Sequence, residues 1–397
     1  MLRLPDLVAP CTAGRPLSDD PTRVVHVIAR MNIGGPAQIL TGLLRHLDPS
    51  SVEQTVIVGR AGRGEQEWFS LRDRDLAQDP RIVRIGDFGP MISPLRDLRA
   101  LIRLVRELRR IRPDVVQTHT AKAGMLGRIA ALVVGVPTII HTYHGHTLHG
   151  YFSAPVVRIF TSLERALARR STHLVSIGSR VRDELLAAGI GDASQYTVIP
   201  PGITEPRGLD ANDARQRLGL DPASSVVTFV GRLTQVKRAD RFLEMANDVA
   251  LRNPGTVFLI VGDGEQRAEL ERQPIDADVR FLGWQADMPA VYSASDLVVV
   301  TSDNEGMPLV LIEASAAGRA CVTTDVGSAA EVVEDGVTGL VVPADAGALA
   351  DAVSALLDEP VRRASYAFAA RGRTLSMFGM TAVLQILGPL YSKRGTR

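Results

Sequence analysis

The stretch Leu297-Val-Val-Val-Thr-Ser-Asp-Asn-Glu-Gly-Met-Pro-Leu-Val-Leu-Ile-Glu313 holds one complete unit of alternating secondary structure. Its first four residues are apolar and predict a buried strand. A polar loop follows, and Pro308 suits the first position of a helix predicted over residues 308–317, because a proline there lacks only an N–H that would be unpaired anyway. A strand followed directly by a helix is typical of a parallel sheet with helices on its faces.

The same alternation recurs along most of the chain and predicts an α/β protein. Strands are predicted at residues 24–29, 54–58, 115–118, 138–142, 173–176 and 196–199, and again at 225–230, 257–261, 279–281, 297–301, 320–324 and 339–342. Helices are predicted between them at residues 36–47, 94–111, 124–134, 155–170, 179–188, 238–252, 266–272, 287–294, 308–317, 330–334 and 346–357. Such a series predicts doubly wound parallel sheets with right-handed connections.

The length of 397 residues fits two domains better than one core. A break is predicted at Pro200-Pro-Gly202, because two prolines and a glycine continue neither a strand nor a helix. We therefore predict a flexible tail at residues 1–22, one Rossmann-like domain at 23–202 and a second at 203–375. A C-terminal helix at 376–397 is predicted to return towards the first domain. The two domains would face each other across a cleft.

The composition excludes several classes of protein. Apolar residues make up 45% of the chain and charged residues 22%, which excludes a wholly disordered or collagen-like chain. Two cysteines, Cys11 and Cys321, are too few for a disulfide framework or a four-cysteine zinc site, and they suit a reducing cytosol. The N-terminus lacks the apolar core of a signal peptide, and the longest nearly apolar run, residues 129–140, is about half the ~20 residues that cross a bilayer. We expect a cytoplasmic protein, with peripheral attachment to the inner face of the cell membrane as a further possibility.

Charge is distributed unevenly along the chain. Residues 1–200 hold 26 Lys and Arg against 18 Asp and Glu, whereas residues 201–397 hold 19 against 26. A net charge of +1 argues against general nucleic-acid binding, while a basic half suits an anionic membrane surface or a phosphorylated substrate. The predicted helix at 94–111 is amphipathic and rich in arginine. A solvated helix face is the simpler explanation, and contact with a membrane surface is the alternative.

Two glutamates flank the polar loop and the helix that follows it. Glu305 is predicted at the helix N-terminus and Glu313 about 12 Å further along, at 1.5 Å per residue, on the same broad face. That spacing suits two carboxylates that hold the two ends of a sugar–diphosphate–ribose group, with the helix N–H groups towards the phosphates. Two ordinary surface glutamates are the simpler alternative. Glu313, however, interrupts an apolar stretch, and a buried carboxylate requires a partner.

Two further motifs follow predicted strands. After Gly231 come two cations five residues apart, Arg232 and Lys237, which could neutralise a diphosphate without a metal ion. Gly34 and Gly35 precede a proline at the start of the first helix and would let backbone approach a ligand. Solvated cations and a simple turn are the respective alternatives. Neither the Gly-x-Gly-x-x-Gly fingerprint nor a P-loop occurs.

All eight histidines lie in the N-terminal half of the chain, five of them within residues 119–149. Their spacing matches no helical pair of zinc ligands, so no metal site is predicted. Buried structural histidines are the main alternative to a binding role. His144 follows a predicted strand and precedes a glycine, which suits a hydrogen bond to a substrate hydroxyl in the cleft.

Together these motifs resemble the retaining glycosyltransferases of family 4, which have the GT-B fold of two facing Rossmann-like domains. The resemblance extends from about residue 24 to residue 391. Its C-terminal motifs are the Arg232/Lys237 pair, Gly262-Asp-Gly-Glu265, and Glu305 with Glu313. The stretches His119-Thr-Ala-Lys-Ala-Gly124 and His141-Thr-Tyr-His-Gly-His146 look like the capsule and exopolysaccharide branch. This chain departs from the family at Gly318-Arg-Ala320, where a proline is common; the difference affects a turn more than the chemistry.

The resemblance implies a role for each motif. The N-terminal domain would bind the acceptor and the C-terminal domain the nucleotide sugar. Catalytic roles would fall to Glu305, which holds the donor sugar, to His144, which contacts it, and to Arg232 and Lys237, which stabilise the departing diphosphate. Donor-binding positions would be Gly34, Gly35, Gly231, Gly264, Glu265, Leu282, Gly306, Met307, Pro308, Leu309 and Glu313, the last at the ribose. His119 and Lys122 would contact the acceptor or a phosphate.

The implied reaction moves a hexosyl or N-acetylhexosaminyl group from a nucleotide diphosphate sugar, with UDP-sugars favoured, to a lipid-linked or saccharide acceptor in cell-surface glycan biosynthesis. It would need neither a metal nor another cofactor. Two alternatives stay open. A non-hydrolysing nucleotide-sugar epimerase has the same two-domain shape, and a non-catalytic nucleotide-sugar-binding protein would have lost its anchor residues, which are present here.

Overall fold

The computed structural model describes residues 20–32, 34–62, 67–71, 73–89, 91–145, 154–206 and 208–392. Several predictions concern residues outside this set: most of the tail at 1–22, Cys11, and the histidines His146 and His149. The elements below belong to the described part of the chain.

Seven parallel strands form the first sheet within these residues. They are β1 (Thr22–Ile28), β2 (Val52–Val58), β3 (Ile82–Arg84), β4 (Val115–His119), β5 (Thr138–Tyr143), β6 (His173–Ser176) and β7 (Tyr196–Val198). Their order is β3-β2-β1-β4-β5-β6-β7, so the winding reverses between β1 and β4. The register pairs Ile28 with His119 and His119 with Thr142, which brings the carboxyl ends of β1, β4 and β5 side by side. Ligands of doubly wound sheets bind at this kind of edge.

The second sheet repeats the arrangement with six parallel strands in the described residues. They are β8 (Val226–Val230), β9 (Val257–Val261), β10 (Asp278–Gly283), β11 (Leu297–Val300), β12 (Ala320–Thr324) and β13 (Gly339–Val342). Their order is β10-β9-β8-β11-β12-β13, with the reversal between β8 and β11. The predicted α/β class with two doubly wound parallel sheets is confirmed.

Helices cover both faces of each sheet. Those of the first half are α1 (Gly35–His46), α2 (Trp68–Leu71), α3 (Arg74–Ala77), α4 (Pro94–Ile111), α5 (Ala121–Val134), α6 (Ala154–Ala168) and α7 (Ser179–Ala187). Those of the second half are α8 (Ala211–Arg217), α9 (Ala239–Arg252), α10 (Arg267–Leu270), α11 (Met288–Ala294), α12 (Leu309–Ala316), α13 (Ala329–Val332), α14 (Ala346–Asp358), α15 (Pro360–Phe378) and α16 (Met380–Leu387). None of the described helices combines the length and apolar composition needed to span a bilayer.

The last helix packs on the first sheet rather than the second. At the join, the N–H of Ile203 donates to the carbonyl of Phe378 (2.8 Å) and the N–H of Met380 donates to the carbonyl of Ile203 (2.9 Å). Beyond it, α16 contributes Val383 and Leu387 to an apolar cluster built on β1, β4 and β5, with Tyr391 just after the helix. We call the part of the molecule built on the first sheet the N-terminal body and the part built on the second sheet the other body. The end of the described chain thus belongs to the N-terminal body.

Three differences from the predicted elements have local causes. Strand β3 was not predicted, because three residues are too few to show a period. Helix α8 follows the break predicted at Pro200-Pro-Gly202 and was not predicted; the Asp210 carboxylate accepts from the N–H groups of Asn212 and Asp213 and starts it. Helix α12 begins at Leu309, one residue after Pro308, so Pro308 precedes the helix instead of opening it.

Candidate functional site

A cavity of about 350 Å³ lies between the two sheets, at the carboxyl ends of their strands. Its volume is in the range of small-molecule sites. We call it the cleft cavity; the first half of the chain lines it with Pro36, Thr120, Ala121, His141, Thr142, Tyr143, His144, Gly145, Glu164, Val181, Leu185 and Ile190, and the second half with Val236, Lys237, Asn304, Glu305 and Gly306. Three predicted catalytic residues, Lys237, Glu305 and His144, therefore meet in one space.

Glu305 lies in the loop between β11 and α12, held by two donors. Nζ of Lys237 and Oγ of Ser302 each approach Oε1 of Glu305 to 2.6 Å. The Glu305 side chain is only 8% exposed, so the ion pair with Lys237 is largely removed from water. Because Glu305 precedes the helix, the helical spacing predicted between it and Glu313 is wrong. The loop positions Glu305, and helix α12 positions Glu313.

Backbone hydrogen bonds tie this loop to neighbouring segments on both of its sides. The N–H of Asp303 donates to the carbonyl of Val236, and the N–H of Ser328 donates to the carbonyl of Gly306, each at 2.9 Å. Gly327 has φ +49°, and a Cβ there would lie 1.6 Å from the Glu305 carbonyl oxygen. Only glycine fits that position. The Glu305 carboxylate is consequently preorganised.

Gly306 was predicted as a donor-binding position, and the structure gives it a packing role as well. A Cβ on Gly306 would lie 2.7 Å from the carbonyl oxygen of His144 and 2.9 Å from Cδ1 of Ile177. Both neighbours belong to the first half of the chain, so a side chain here would push the two bodies apart. Met307 and Pro308 are also buried, and Met307 joins an apolar cluster with Ile177. Neither Met307, Pro308 nor Leu309 lines the cleft cavity.

Glu313 has the partners that a half-buried carboxylate requires. Nε2 of Gln38, on α1, donates to Oε1 and the hydroxyl of Tyr292, on α11, donates to Oε2, each at 2.6 Å. Neither Gln38 nor Tyr292 was predicted from the sequence. Tyr292 is a polar-tipped residue in a mostly apolar helix, and this was a signal in the sequence. Gln38 gave no such signal, because its partner Glu313 lies in the other half of the chain.

The N-terminus of α1 points into the same region. Gly34 precedes the helix without a side-chain cap, and nothing lies within 4 Å of a Cβ built on Gly34 or Gly35. Pro36 lines the cleft cavity. Uncapped N–H groups and open space at a helix N-terminus suit an anion.

The remaining predicted donor residues lie on neighbouring loops outside the cleft cavity. The N–H of Gly231 donates to Val261 (2.9 Å), and Gly264 lies against the carbonyl of Leu233. Arg232 and Glu265 are exposed, and Arg232 forms no ion pair with a described residue. Leu282 packs on an apolar cluster of the second sheet. The structure therefore brings Lys237 to Glu305 but leaves Arg232 in solvent.

The two predicted acceptor or phosphate contacts are otherwise occupied. Nζ of Lys122 pairs with the Asp97 carboxylate at 2.5 Å and donates to the carbonyl of Met91. His119 is 1% exposed and lies beneath His144. Both residues therefore lie outside the cleft cavity. In the described residues, no group of three or more His, Cys, Asp or Glu could hold a metal ion.

A charged cluster at the base of the cleft cavity was also missed. Arg128 is fully buried in α5 and its Nη2 lies 2.5 Å from Oε1 of Glu164, while the hydroxyl of Tyr143 donates to Oε2 at 2.9 Å. Burial and the neighbouring Glu164 carboxylate raise the pKa of Tyr143 well above its ordinary value. An arginine within an apolar helix was the sequence signal.

The two bodies are joined by a clasp at the start of α7. The Glu331 carboxylate accepts from the backbone N–H of Ser179 (2.8 Å) and of Arg180 (2.9 Å), and the Arg180 guanidinium lies 3.0 Å from Asp325. A carboxylate at a helix N-terminus is favourably placed with respect to the helix dipole. The clasp therefore links α7 of the first half of the chain to the segment 325–331 of the second half.

Comparison with known proteins agrees with this architecture. Residues 224–359 match the family described as glycosyl transferases group 1, and residues 34–202 match the glycosyl transferase 4-like domain. The chain is 34% identical over 246 residues to the UDP-Gal:alpha-D-GlcNAc-diphosphoundecaprenol alpha-1,3-galactosyltransferase of Escherichia coli, a match that covers 59% of this chain and 64% of that protein. This chain thus spans less than two thirds of the length of that relative.

Two further matches extend over most of the chain. The glycogen synthase of Mycobacterium tuberculosis strain H37Rv is 30% identical over 394 residues, covering 91% of this chain and 94% of that protein. The crystal structure of Anabaena HepE in complex with UDP and glucose superposes with a TM-score of 0.77 at 22% identity, covering 93% of this chain and 98% of that one. The structural likeness concerns the fold and confirms the GT-B arrangement. On the evidence of its two matched domains and its full-length relative, the chain belongs to the group 1 glycosyltransferase family.

Proposed function

We propose that this protein transfers a hexosyl or N-acetylhexosaminyl group from a nucleotide diphosphate sugar, a UDP-sugar first, to a lipid-linked or saccharide acceptor, with retention of configuration. The observation that carries the proposal is the Lys237–Glu305 pair in the cleft cavity, opposite the open N-terminus of α1. The E. coli relative is named for a UDP-galactose donor and a diphosphoundecaprenol acceptor. By analogy, the biological role would be in cell-surface polysaccharide synthesis, in the capsule and exopolysaccharide branch.

The chemistry follows from where charge develops. Cleavage of the anomeric C–O bond places positive charge on the sugar and negative charge on the diphosphate. Lys237 and the N–H groups of α1 would stabilise the diphosphate as it leaves, and this stabilisation is stronger in the transition state than in the bound substrate. Glu305 would hold sugar hydroxyls, and Glu313 the ribose. No metal is required in this scheme.

Retention is assigned to attack on the same face from which the diphosphate departs. A donor phosphate oxygen would take the proton of the acceptor hydroxyl as the new C–O bond forms. Glu305 is engaged by Lys237 and Ser302, so it serves better as a ligand for hydroxyls than as a nucleophile. A product with inverted configuration, measured by NMR of the anomeric proton, would eliminate this route.

We also propose that the acceptor side docks on an anionic membrane surface through α4. Met91, Ile92, Leu95, Leu98 and Ile102 are between 43% and 81% exposed, and they form a stripe along this helix and the turn before it. Exposed arginines flank the stripe: Arg96, Arg99, Arg103 and Arg106. Exposed apolar side chains within a basic surface suit the headgroup region of an anionic bilayer.

Vesicle co-sedimentation tests this docking. Binding to vesicles with anionic lipid should exceed binding to neutral vesicles and should fall with added salt. Replacing Leu95 and Leu98 by serine should weaken it, while a Leu251→Ser change, at an equally exposed leucine on α9, should not. Equal binding to both kinds of vesicle would contradict the proposal.

The transfer itself is tested in two steps. A thermal-shift screen of UDP-, GDP- and ADP-sugars identifies the donor, because a ligand that binds the native state raises its stability. The selected donor is then incubated with and without a lipid-diphosphate sugar acceptor. Transfer that requires the acceptor supports the proposal. Epimerised donor formed without acceptor, or binding without any turnover, would overturn it.

A further inference from the structure

Three buried imidazoles connect the interior of the first sheet to the cleft cavity. Nδ1 of His26 lies 3.3 Å from Nε2 of His119, and Nδ1 of His119 lies 3.1 Å from Nε2 of His144. We call these residues the histidine chain. The adjacency of β1, β4 and β5 brings them into line. His26 and His119 are at most 1% exposed, so only His144 reaches the cavity.

All three rings are neutral near pH 7. Burial lowers the pKa of His26 to about 4 and the pKa of His144 to about 4, and it lowers the pKa of His119 well below its ordinary value. A neutral imidazole has one N–H donor and one bare nitrogen acceptor. Each of the two nitrogen–nitrogen contacts needs one proton. A proton fixed at one end of the histidine chain therefore determines the tautomer of all three rings.

Gln54, on β2, fixes the inner end. Its Nε2 donates to the carbonyl of Leu43 at 3.1 Å, and Gln54 pairs in register with Val24, so its side chain lies on the same face of the sheet as that of His26. Oε1 of Gln54 and Nε2 of His26 are both buried, and neither has a hydrogen-bond partner among the described residues. An amide oxygen can only accept, so a proton on Nε2 of His26 is the arrangement that would let these two unpartnered atoms pair with each other.

The remaining protons follow in order. Nδ1 of His26 is then bare and accepts from Nε2 of His119. Nδ1 of His119 is bare in turn and accepts from Nε2 of His144. Nδ1 of His144 is left as a bare nitrogen; it is buried and has no hydrogen-bond partner in the described part of the chain.

We propose that His26 and His119 are positioning residues that hold the proton of His144 on Nε2, so that Nδ1 of His144 presents a hydrogen-bond acceptor to a hydroxyl of the bound sugar. That the ligand is a sugar rests on the proposed function, whereas the tautomer does not. A bare nitrogen attracts an O–H group and repels a phosphate or carbonyl oxygen. The histidine chain would thus select for the hydroxyl-bearing part of the donor.

The tautomer is measured directly by NMR of the full chain with ¹⁵N-labelled histidine side chains at pH 7.5. A His144→Gln variant identifies the resonances of His144 by their loss. We expect the shift of an unprotonated nitrogen at Nδ1 and of a protonated nitrogen at Nε2. A protonated Nδ1 in the unmodified protein would overturn the proposal without any variant being made.

Two substitutions at His119 test the positioning. His119→Leu removes the acceptor for the His144 proton, and His119→Asn offers an amide oxygen in its place. With leucine, we expect a mixture of His144 tautomers and a loss of roughly tenfold in kcat/KM, about one hydrogen bond. Asparagine should restore the tautomer and most of the rate. An unchanged tautomer with leucine would overturn the positioning role.

A control separates this effect from general loss of a buried polar group. Thr228→Val removes a hydroxyl that lies 2.7 Å from Oγ of Ser295 in the core of the second sheet. It should leave both the His144 tautomer and kcat/KM unchanged. If NMR shows the expected tautomer but no sugar is transferred, the proposed function fails while the assignment of the histidine chain stands.

Discussion

Replacing Lys237 by methionine tests the central ion pair of the cleft cavity. The change removes a cation 2.6 Å from Oε1 of Glu305 and leaves that carboxylate, 8% exposed, with Ser302 as its donor. Breaking a fully buried pair costs ~3–5 kcal/mol. Because Lys237 is 30% exposed and Ser302 remains, we expect the free energy of unfolding to fall by only about 1–3 kcal/mol.

The same change should have a much larger effect on turnover. If Lys237 stabilises the departing diphosphate, kcat should fall roughly 100- to 1,000-fold, as when one donor to a developing anion is removed. Unfolding in urea gives the stability, and release of the nucleoside diphosphate with acceptor present gives kcat and KM.

Arg215→Met is the matched control. Arg215 pairs with Asp296 at 2.7 Å, and the two side chains are 13% and 18% exposed, but neither lines the cleft cavity. It should lose comparable or greater stability and keep its kcat. A Lys237→Met protein that is destabilised yet transfers at the unmodified rate would show that the Lys237–Glu305 pair is structural, and the proposed chemistry would fail.

Three further predictions concern other contacts. Tyr292→Phe removes one hydrogen-bond donor from Glu313 and should lower kcat/KM about tenfold or more. Tyr366→Phe removes a hydroxyl bonded to an exposed arginine and should leave kcat/KM unchanged. Equal effects in the two variants would refute the role of Glu313. Glu331→Gln weakens the clasp at α7 and should increase the radius of gyration measured by X-ray scattering without ligand; an unchanged radius would mean that other contacts hold the cleft. Burial lowers the pKa of His26 to about 4, so the unfolded chain binds more protons than the folded chain between pH 6.5 and 4. The free energy of unfolding should therefore fall as the pH is lowered through that window, and it should fall less in a His26→Asn variant. Equal pH dependence of the two proteins in urea-unfolding series would contradict this.

Local patterns were sufficient for most of the fold. Strand β11 and the helix after it could be predicted from the sequence. Four consecutive apolar residues indicate a buried strand and a proline indicates a helix start, and both effects depend only on neighbouring residues. We predicted that the Glu313 carboxylate would have a partner, because Glu313 lies in an apolar stretch of the sequence. Its two partners were not, since Gln38 is 275 residues away and reaches it only when the two bodies face each other.

The error about Glu305 has the same origin. The helix was predicted to begin at Pro308, and helical spacing was extended back to Glu305, whereas hydrogen bonds with Val236 and Ser328 hold residues 303–306 as a loop. Likewise, the cluster of histidines was visible in the sequence, but His26, from a different strand, was not considered part of it. Arg232 and Lys237 looked equivalent as cations, and only Lys237 reaches Glu305.

The sequence by itself determined the alternation of strands and helices, the two-sheet architecture and the residue types available for binding, because hydrophobic periodicity, proline and glycine act within a few neighbouring residues. Tertiary structure alone decided which of those residues share the cleft, which imidazoles contact His144 and which carboxylate has which donor. Those outcomes depend on contacts between segments far apart in the chain, and no local pattern encodes a distance between two sheets.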